Sequence, residues 1–475
     1  MADDVLKPDL CVIGAGVAGL SVASTAAALG ASVVLVEHAR MGGALVGGAV
    51  AALALRASAE AAEAFRRATP FGIAAAKPRV DWPRVRTHAE HVVGAAAGDL
   101  SEARCRALGV RVLRGEPRFV SPLTALLGDH TIQPRRFVLA VGSSPAAPDL
   151  PGLADTPFLT PEAVSDLPAR PERLIVLGGE PVAVELAQAL RRLGSEVAVA
   201  APGRILERFD PELVAALAAA LRREGVDIRE IAPARGVSGG PDGVRVELQT
   251  GEVLTGSHLL VAAGRRVVTE GLDLDKAGVE ADASGILVDR RLRTANKRVF
   301  AIGDCAGGPH AGDRCAHVAA HHAAVVIRNA LFRWPARVET RALPLAVRTS
   351  PALATVGLSE AQALETRRAV RILRWPYAES DRARAERLTE GEIKVITDKS
   401  GVILGASIVG ARADELITTW TLAVKKGLSV ADLRDLVVPY PTFSEIGQRA
   451  AASFDAPRAR SPWLRRAVAL LRRLG

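Results

Sequence analysis

Residues Leu10 to Glu37 constrain the fold more tightly than any other stretch. Leu10-Cys11-Val12-Ile13 reads as a buried parallel strand, and Gly14-Ala15-Gly16-Val17-Ala18-Gly19 as a turn opening an alanine-rich helix to about Leu29. A second strand, Ser32 to Val36, ends in Glu37. A lone GxGxxG is weak evidence. Strand, glycine turn, helix, strand and an acid about 20 residues onward together specify a dinucleotide-binding βαβ unit. Gly14 permits the tight turn, Gly16 lets a pyrophosphate approach the backbone, and Gly19 lets helix and strand pack closely. Helix N–H groups neutralise the phosphates, and Glu37 accepts hydrogen bonds from a ribose.

Three later segments read as completing the same site. Phe137 to Gly142 is a strand ending in glycine, followed by Ser143, Ser144 and Pro145. Leu259 to Gly264 repeats the pattern with Arg265 and Arg266 behind it, and Val299 to Asp304 ends in an acid suited to polyol hydroxyls. A chain of 475 residues exceeds one ordinary core, so roughly two to four domains are expected. The formal charge of +9 would suit nucleic acid or anionic lipid, but the arginines are spread widely and no nucleic-acid-binding motif accompanies them. No nucleic-acid partner is expected. Cysteines at 11, 105, 305 and 315 form no CxxC and no zinc spacing, which points to a reducing compartment and no metal site. The first residues show no apolar signal region, and the apolar run from Gly43 to Leu55 reads as too short and too glycine-rich to span a membrane. A cytoplasmic location is the expectation.

From Asp9 to about Ala451 the chain resembles the pyridine nucleotide–disulfide oxidoreductases, the family of dihydrolipoamide dehydrogenase, glutathione reductase and mercuric reductase. The resemblance implies an α/β fold: two Rossmann-like, three-layer nucleotide-binding domains, one inserted in the other, and an α+β C-terminal dimerisation domain. It implies FAD, with Gly14, Gly16, Gly19, Glu37, Gly43, Gly142 and Asp304 at cofactor-contacting positions. It places the helix after Asp304, expected to begin near Gly312 to Arg314, beneath the flavin ring, with Ala316 and His317 beside it. The expected boundaries are 1–150 with 275–340 for FAD, 151–274 for NAD(P), 341–455 for dimerisation, and a basic tail from 456.

The family's redox relay is missing. Members read GGTCxNxGCxPSK after the acid of the second strand; here Gly42 to Ala54 read GGALVGGAVAALA. Leu45 stands at the first cysteine and Val50, or Ala49 if the loop is one residue shorter, at the second; the lysine is absent too. Thiolate chemistry needs a thiolate, so reduction of a disulfide substrate by the family's route is excluded. A mercuric reductase reading is disfavoured as well, since the paired cysteine near the C-terminus is absent. Cys305 and Cys315 leave open a relocated dithiol. The family's His-Pro-Thr-x-Ser-Glu becomes Tyr440-Pro441-Thr442-Phe443-Ser444-Glu445. Tyrosine, with a reference pKa of about 10, is a poor general base but donates a hydrogen bond to a carbonyl, and Glu445 has no histidine to orient. Substrate contact and interface packing are both open for Tyr440.

The second nucleotide unit is degenerate. Arg173 to Leu177 is a strand, a helix follows to Leu193, and Glu196 to Ala200 is the next strand, but the three key glycine places hold Gly178, Glu180 and Ala183. A carboxylate at 180 would repel a pyrophosphate. Ala201 falls where an acid would bind the ribose, and Arg204 is a candidate to meet a 2′-phosphate. NAD(P)H binding is therefore doubtful, with weakened binding, a scaffold role and another donor all open. Glu185 matches the acid that pairs with the absent lysine; solvation, protonation or a backbone hydrogen bond would satisfy it. His317 and His321 are one helical turn apart without metal-site companions.

Leu345 to Val356 and Glu392 to Gly410 read as antiparallel strands, and Ala413 to Lys426 as a long helix. The resemblance makes this a homodimerisation surface. Beyond it, Trp463, Leu464, Ala467, Val468, Leu471 and Leu474 form an apolar stripe among Arg465, Arg466, Arg472 and Arg473. Residues 461–475 suit either peripheral contact with the inner face of a membrane or docking on protein. The leading expectation is an FAD-dependent oxidoreductase passing electrons from reduced flavin directly to a small non-disulfide acceptor such as a quinone. The alternatives are a non-catalytic FAD-containing dimer in an assembly role, and a flavoprotein subunit reduced by a protein donor.

Overall fold

A computed structural model describes residues 4–74, 76–240, 243–366, 369–456 and 462–472. The chain forms two compact units: Met1–Gly178 with Arg192–Glu196 and Ala234–Thr340, and Gly179–Arg191 with Val197–Pro233 and Arg341–Gly475.

The first unit is built on a five-stranded parallel sheet in the order Val299–Ala301, Arg136–Leu139, Leu10–Ile13, Val33–Glu37, Arg111–Arg114. Its central strands are apolar on both faces and buried over Leu10–Ile13, Val33 to Val36 and Phe137 to Leu139, as a sheet covered by helices requires. The Val17–Ala28 and Ala316–Ala330 helices supply small and β-branched residues to the same core. Arg173–Leu177 pairs in parallel with His258–Val261 in this unit.

The glycines at 47 and 48 do not break the chain as the sequence suggested. Leu45–Ala49 forms a wide π turn that merges into the Val50–Arg66 helix. The run Leu45–Arg66 is thus one helix of 22 residues, long and apolar enough by length and composition to cross a membrane. A core helix of a water-soluble protein passes the same test. This one carries Arg56, Glu60, Glu63 and Arg66, and Arg66 donates to the Arg192 carbonyl at 2.7 Å.

In the second unit Glu196–Ala200 pairs in parallel with Val226–Arg229, from Val197 opposite Val226. An antiparallel five-stranded sheet runs Leu345–Val347, Ala352–Gly357, Ile403–Gly410, Glu392–Asp398, Val370–Pro376. The Ala413–Lys426 helix buries Ile417, Trp420 and Ala423 in the core of this sheet. Tyr377 is fully buried and donates its hydroxyl to the Ala411 carbonyl at 2.8 Å. Gly410 makes room for that ring: at its φ of +150°, a Cβ would lie 2.4 Å from two ring carbons. The tail helix Pro462–Leu471 forms, with Trp463 and Leu471 exposed. Leu474 and Arg473 of the expected stripe, and the side chains of Leu464 and Arg465, lie outside the described residues.

Candidate active site

The turn after the Leu10–Ile13 strand is shaped by sterics. Gly14 has φ +102°, and a Cβ there would fall 2.3 Å from the Ala140 carbonyl oxygen. A Cβ on Gly19 would fall 1.8 Å from the Gly14 oxygen. Only glycine fits at either place. Gly16 differs: its φ of −73° suits any residue and a Cβ would meet nothing within 4 Å. The helix start is thus open on the side to which a Cβ at position 16 would point. Gly43, at φ +52°, directs its Cβ position to within 3.5 Å of the Gly16 Cα, and Gly142, at φ +71°, faces open space.

Glu37 is 6% exposed and accepts the Ala15 N–H at 2.6 Å and the Ala39 N–H at 2.8 Å. Each carboxylate oxygen retains a lone pair for a ribose hydroxyl. Asp304 accepts the Ser143 hydroxyl at 2.7 Å, and Arg265 donates to the same hydroxyl at 2.8 Å and to the Ser143 carbonyl at 2.7 Å. Arg265 also donates to Glu162 at 2.6 Å. Glu162 escaped the sequence reading. It sits 103 positions from Arg265 in a short 3₁₀ turn, and no local pattern marks it. Its Cγ lies 3.0 Å from the Cβ position of Gly48, so this network abuts the Leu45–Ala49 turn.

That turn is a single π turn lined by carbon side chains. The Val50 N–H donates to the Leu45 carbonyl, an i to i+5 bond that sets the two cysteine-equivalent positions one π turn apart. Val46 is buried and packs beneath Gly42. Ala54, at the lysine position, is buried too.

Cys11, Cys105 and Cys305 are unsuited to replace the pair. Cys305 is fully buried and donates to the Ile302 and Leu139 carbonyls at 3.2 and 3.4 Å, and burial pushes its pKa up to about 11. Burial likewise holds Cys11 and Cys105 above the ordinary thiol range. Such thiols are poor nucleophiles. Cys315 is half-buried.

The helix after Asp304 begins at Ala316 rather than at 312–314. Gly312 adopts φ +74° and the Cys315 N–H turns back to the Asp313 carbonyl, so the helix cannot start earlier. Ala316 and His317 open it and are exposed. His321 accepts the Glu339 N–H at 3.1 Å. His322 is fully buried and its Nδ1 accepts the Gly303 N–H at 3.1 Å, bracing the turn that carries Asp304. Among the described residues no group of three or more His, Cys, Asp or Glu is placed to hold a metal.

Burial, with His321 nearby, pushes the His322 pKa down to about 4. The unfolded chain, with a pKa of about 6.5, therefore takes the proton first, and stability falls as pH drops from about 6.5 to 4. The loss is roughly 3 kcal/mol for this group. Urea unfolding between pH 7 and 4.5 should show this slope in the parent and lose it in His322→Asn; equal slopes would refute the assignment.

Gly178 closes a segment of the first unit, where at φ +133° a Cβ would lie 2.2 Å from the Ala262 carbonyl oxygen, and Gly179 opens a segment of the second. A Cβ on Gly179 would lie 3.1 Å from the Ala201 Cβ and the Ile205 Cα. Glu180 is exposed, and its carbonyl accepts the Ala183 and Val184 N–H groups as the Pro181–Arg192 helix begins. Ala183 is buried and Arg204 exposed. Glu185 accepts the Arg348 N–H at 2.6 Å, so of the three states left open by the sequence the backbone hydrogen bond is realised. Tyr440 is 70% exposed and donates its hydroxyl to Asp381 at 3.0 Å, and that carboxylate holds its pKa above the ordinary tyrosine value. Glu445 is buried, 3.8 Å from Arg449.

Two family descriptions match this chain: pyridine nucleotide-disulphide oxidoreductase over residues 8–325, and the dimerisation domain of the same family over 343–451. It belongs to the pyridine nucleotide-disulphide oxidoreductases. Mercuric reductase of Streptomyces lividans is 34% identical over 465 residues, covering 95% of this chain and 97% of that protein. Dihydrolipoyl dehydrogenase of Thermus scotoductus is 35% identical over 449 residues, covering 92% and 95%. Among solved structures, LpdA from Mycobacterium tuberculosis matches with a TM-score of 0.84 at 27% identity, covering 94% of this chain and 99% of that one. The HOCl-induced flavoprotein disulfide reductase RclA from Escherichia coli matches at 0.83 and 26%, with the same coverage. The fold is that of an FAD-binding oxidoreductase with a dimerisation domain, which supports a homodimer. The family binds FAD and NAD(P)H.

Proposed function

We propose that this chain is an FAD-dependent oxidoreductase whose reduced flavin passes electrons directly to a non-disulfide acceptor, a quinone or comparable conjugated oxidant. The observation that carries this reading is the ordered π turn from Leu45 to Ala49, which contains no sulfur. Gly14, Gly16, Gly19, Gly43 and Gly142 would line the cofactor's phosphate and ring path, Glu37 its ribose, and Asp304 its polyol, beside Ala316 and His317. Bound flavin supplies hydride acceptance and single- or paired-electron release. The protein's part is to orient it, to offer an apolar wall at Leu45 and Val50, and to keep Asp304 fixed through Ser143. The boundaries 1–150 with 275–340, 151–274 and 341–455 serve as the domain assignment. For Tyr440 to contact an acceptor oxygen as a donor, its hydroxyl would have to leave Asp381, to which it now donates, with the Glu445 carboxylate nearby. Anaerobic reduction followed by turnover with a soluble benzoquinone tests the reading; flavin that reduces but never reoxidises with any quinone would overturn it.

A second reading, a non-catalytic FAD-containing dimer or one fed by a protein donor, draws on Glu180, an exposed acid just before the Pro181–Arg192 helix, where NAD(P)H phosphates would approach. Gly178, Ala183, Glu185 and Arg204 complete that degenerate site. Glu180→Gly is expected to tighten NADPH binding at least about tenfold, as removal of one close like charge predicts. Fluorescence titration measures it, and unchanged affinity would clear Glu180 of the obstruction.

A further inference from the structure

One surface of the first unit answers to none of this chemistry. After the Ala316–Ala330 helix, Phe332 and Trp334 project into solvent, 56% and 69% exposed. The turn that bears them is anchored. The Trp334 N–H donates to the Arg328 carbonyl at 3.0 Å, and the Asn329 amide donates to the Ala336 and Arg291 carbonyls at 2.9 and 3.2 Å. Its Oδ1 accepts the Ala336 N–H at 3.0 Å, and Leu331 and Ala336 pack on the core. Two large rings are thus held outward instead of folding back, at a standing hydrophobic cost.

Cations crowd the same place. Arg333 separates the two aromatic residues in the chain and is exposed. Arg136 and Arg298 sit at adjacent strand starts, because Phe137 pairs with Val299 and the Phe137 N–H donates to the Arg298 carbonyl at 3.0 Å. Burial and then repulsion from Arg333, Arg135 and Arg298 lower the Arg136 pKa, so the group is close-set and poorly neutralised. Asp9 offsets Arg135, at 3.2 Å. Beyond Arg337 opens a cleft of about 680 Å³ lined by Arg290, Arg291 and Lys297, with Asp289 committed to Arg293 at 2.7 Å.

We propose that this face, Phe332 and Trp334 set among Arg136, Arg298, Arg333 and Arg337, docks on an anionic phospholipid surface. Indole and phenyl rings settle at headgroup depth, and the guanidinium groups around them meet lipid phosphates. Two exposed rings among exposed arginines fit a soft, negatively charged surface. Single-stranded nucleic acid would instead call for a groove with rings stacked along its floor. The site is separate from the basic tail helix at 462–471 and does not depend on the acceptor's identity. Vesicle binding without quinone turnover would sink only the functional reading above.

The full-length holoprotein should sediment with vesicles of phosphatidylcholine and phosphatidylglycerol in equal parts, stay free with phosphatidylcholine alone, and dissociate in 0.5 M salt, about a twofold shorter screening length than at 0.15 M. Phe332→Ser with Trp334→Ser should weaken binding at least tenfold with flavin content unchanged, and Arg298→Glu with Arg333→Glu should do the same. Trp463→Ser should leave most binding intact. The proposal is overturned if the parent ignores anionic vesicles, if the ring variant binds like the parent, if Trp463→Ser alone abolishes binding, or if the parent prefers oligothymidylate to vesicles.

Discussion

Gly16→Leu is expected to give a folded chain that holds no flavin. The three glycines of the turn have different reasons to be glycine. Side chains at Gly14 and Gly19 would collide with backbone oxygens at 2.3 and 1.8 Å, so changes there damage the fold itself. At Gly16 the backbone is ordinary and the Cβ direction is empty, so a leucine is tolerated by the protein and fills only the space reserved for phosphate. The expected loss in FAD affinity is on the order of a thousandfold, equivalent to roughly 4 kcal/mol. Far-ultraviolet circular dichroism and the thermal midpoint of the apoprotein should match those of the parent stripped of flavin. Retained stoichiometric FAD in this variant would mean that the pyrophosphate does not lie there.

The second large effect lies in the other unit. Lys394 is 1% exposed, and its ammonium donates to Asp210 at 2.6 Å, Glu212 at 2.7 Å and Glu360 at 2.9 Å. Burial alone would lower its pKa; the three carboxylates outweigh that and hold it above the ordinary lysine value. Asp210 is itself buried, and its other oxygen caps the Pro211–Arg223 helix through the Glu212 N–H at 3.0 Å. Lys394→Met would leave Asp210 buried without its cation, and breaking a buried pair from one side costs about 3–5 kcal/mol. Denaturant unfolding should show that loss, with part of it recovered by adding Asp210→Asn, which removes the stranded charge but keeps a capping oxygen. A loss below about 1 kcal/mol would show the cluster to be solvated.

The fold was legible because its signals are local. The strand, turn and helix of Leu10–Ala28, the acid at 37 and the Ala413–Lys426 helix follow from periodicity and glycine placement over windows of 10 to 30 residues. What escaped depends on distant chain segments. Glu162 belongs with Arg265 and Gly48 only because the fold brings three separate segments together. The Lys394 cluster spans 184 positions from Asp210. The continuous helix at Leu45–Arg66 was hidden by a glycine pair that a wide π turn absorbs without interruption. The Glu185 hydrogen bond to Arg348 was undecidable for the same reason: its partner is a backbone group 163 residues away.

Everything proposed about electron flow depends on flavin acting as the sole redox centre of each subunit. Anaerobic titration of the purified holoprotein with dithionite, followed at about 450 nm, counts the centres directly, since flavin alone takes up two electrons and a flavin with a working dithiol takes four. Full bleaching after two electrons per FAD, with no long-wavelength thiolate–flavin band on the way, is the expected result. Uptake of four electrons per FAD would place a disulfide beside the ring and contradict the account.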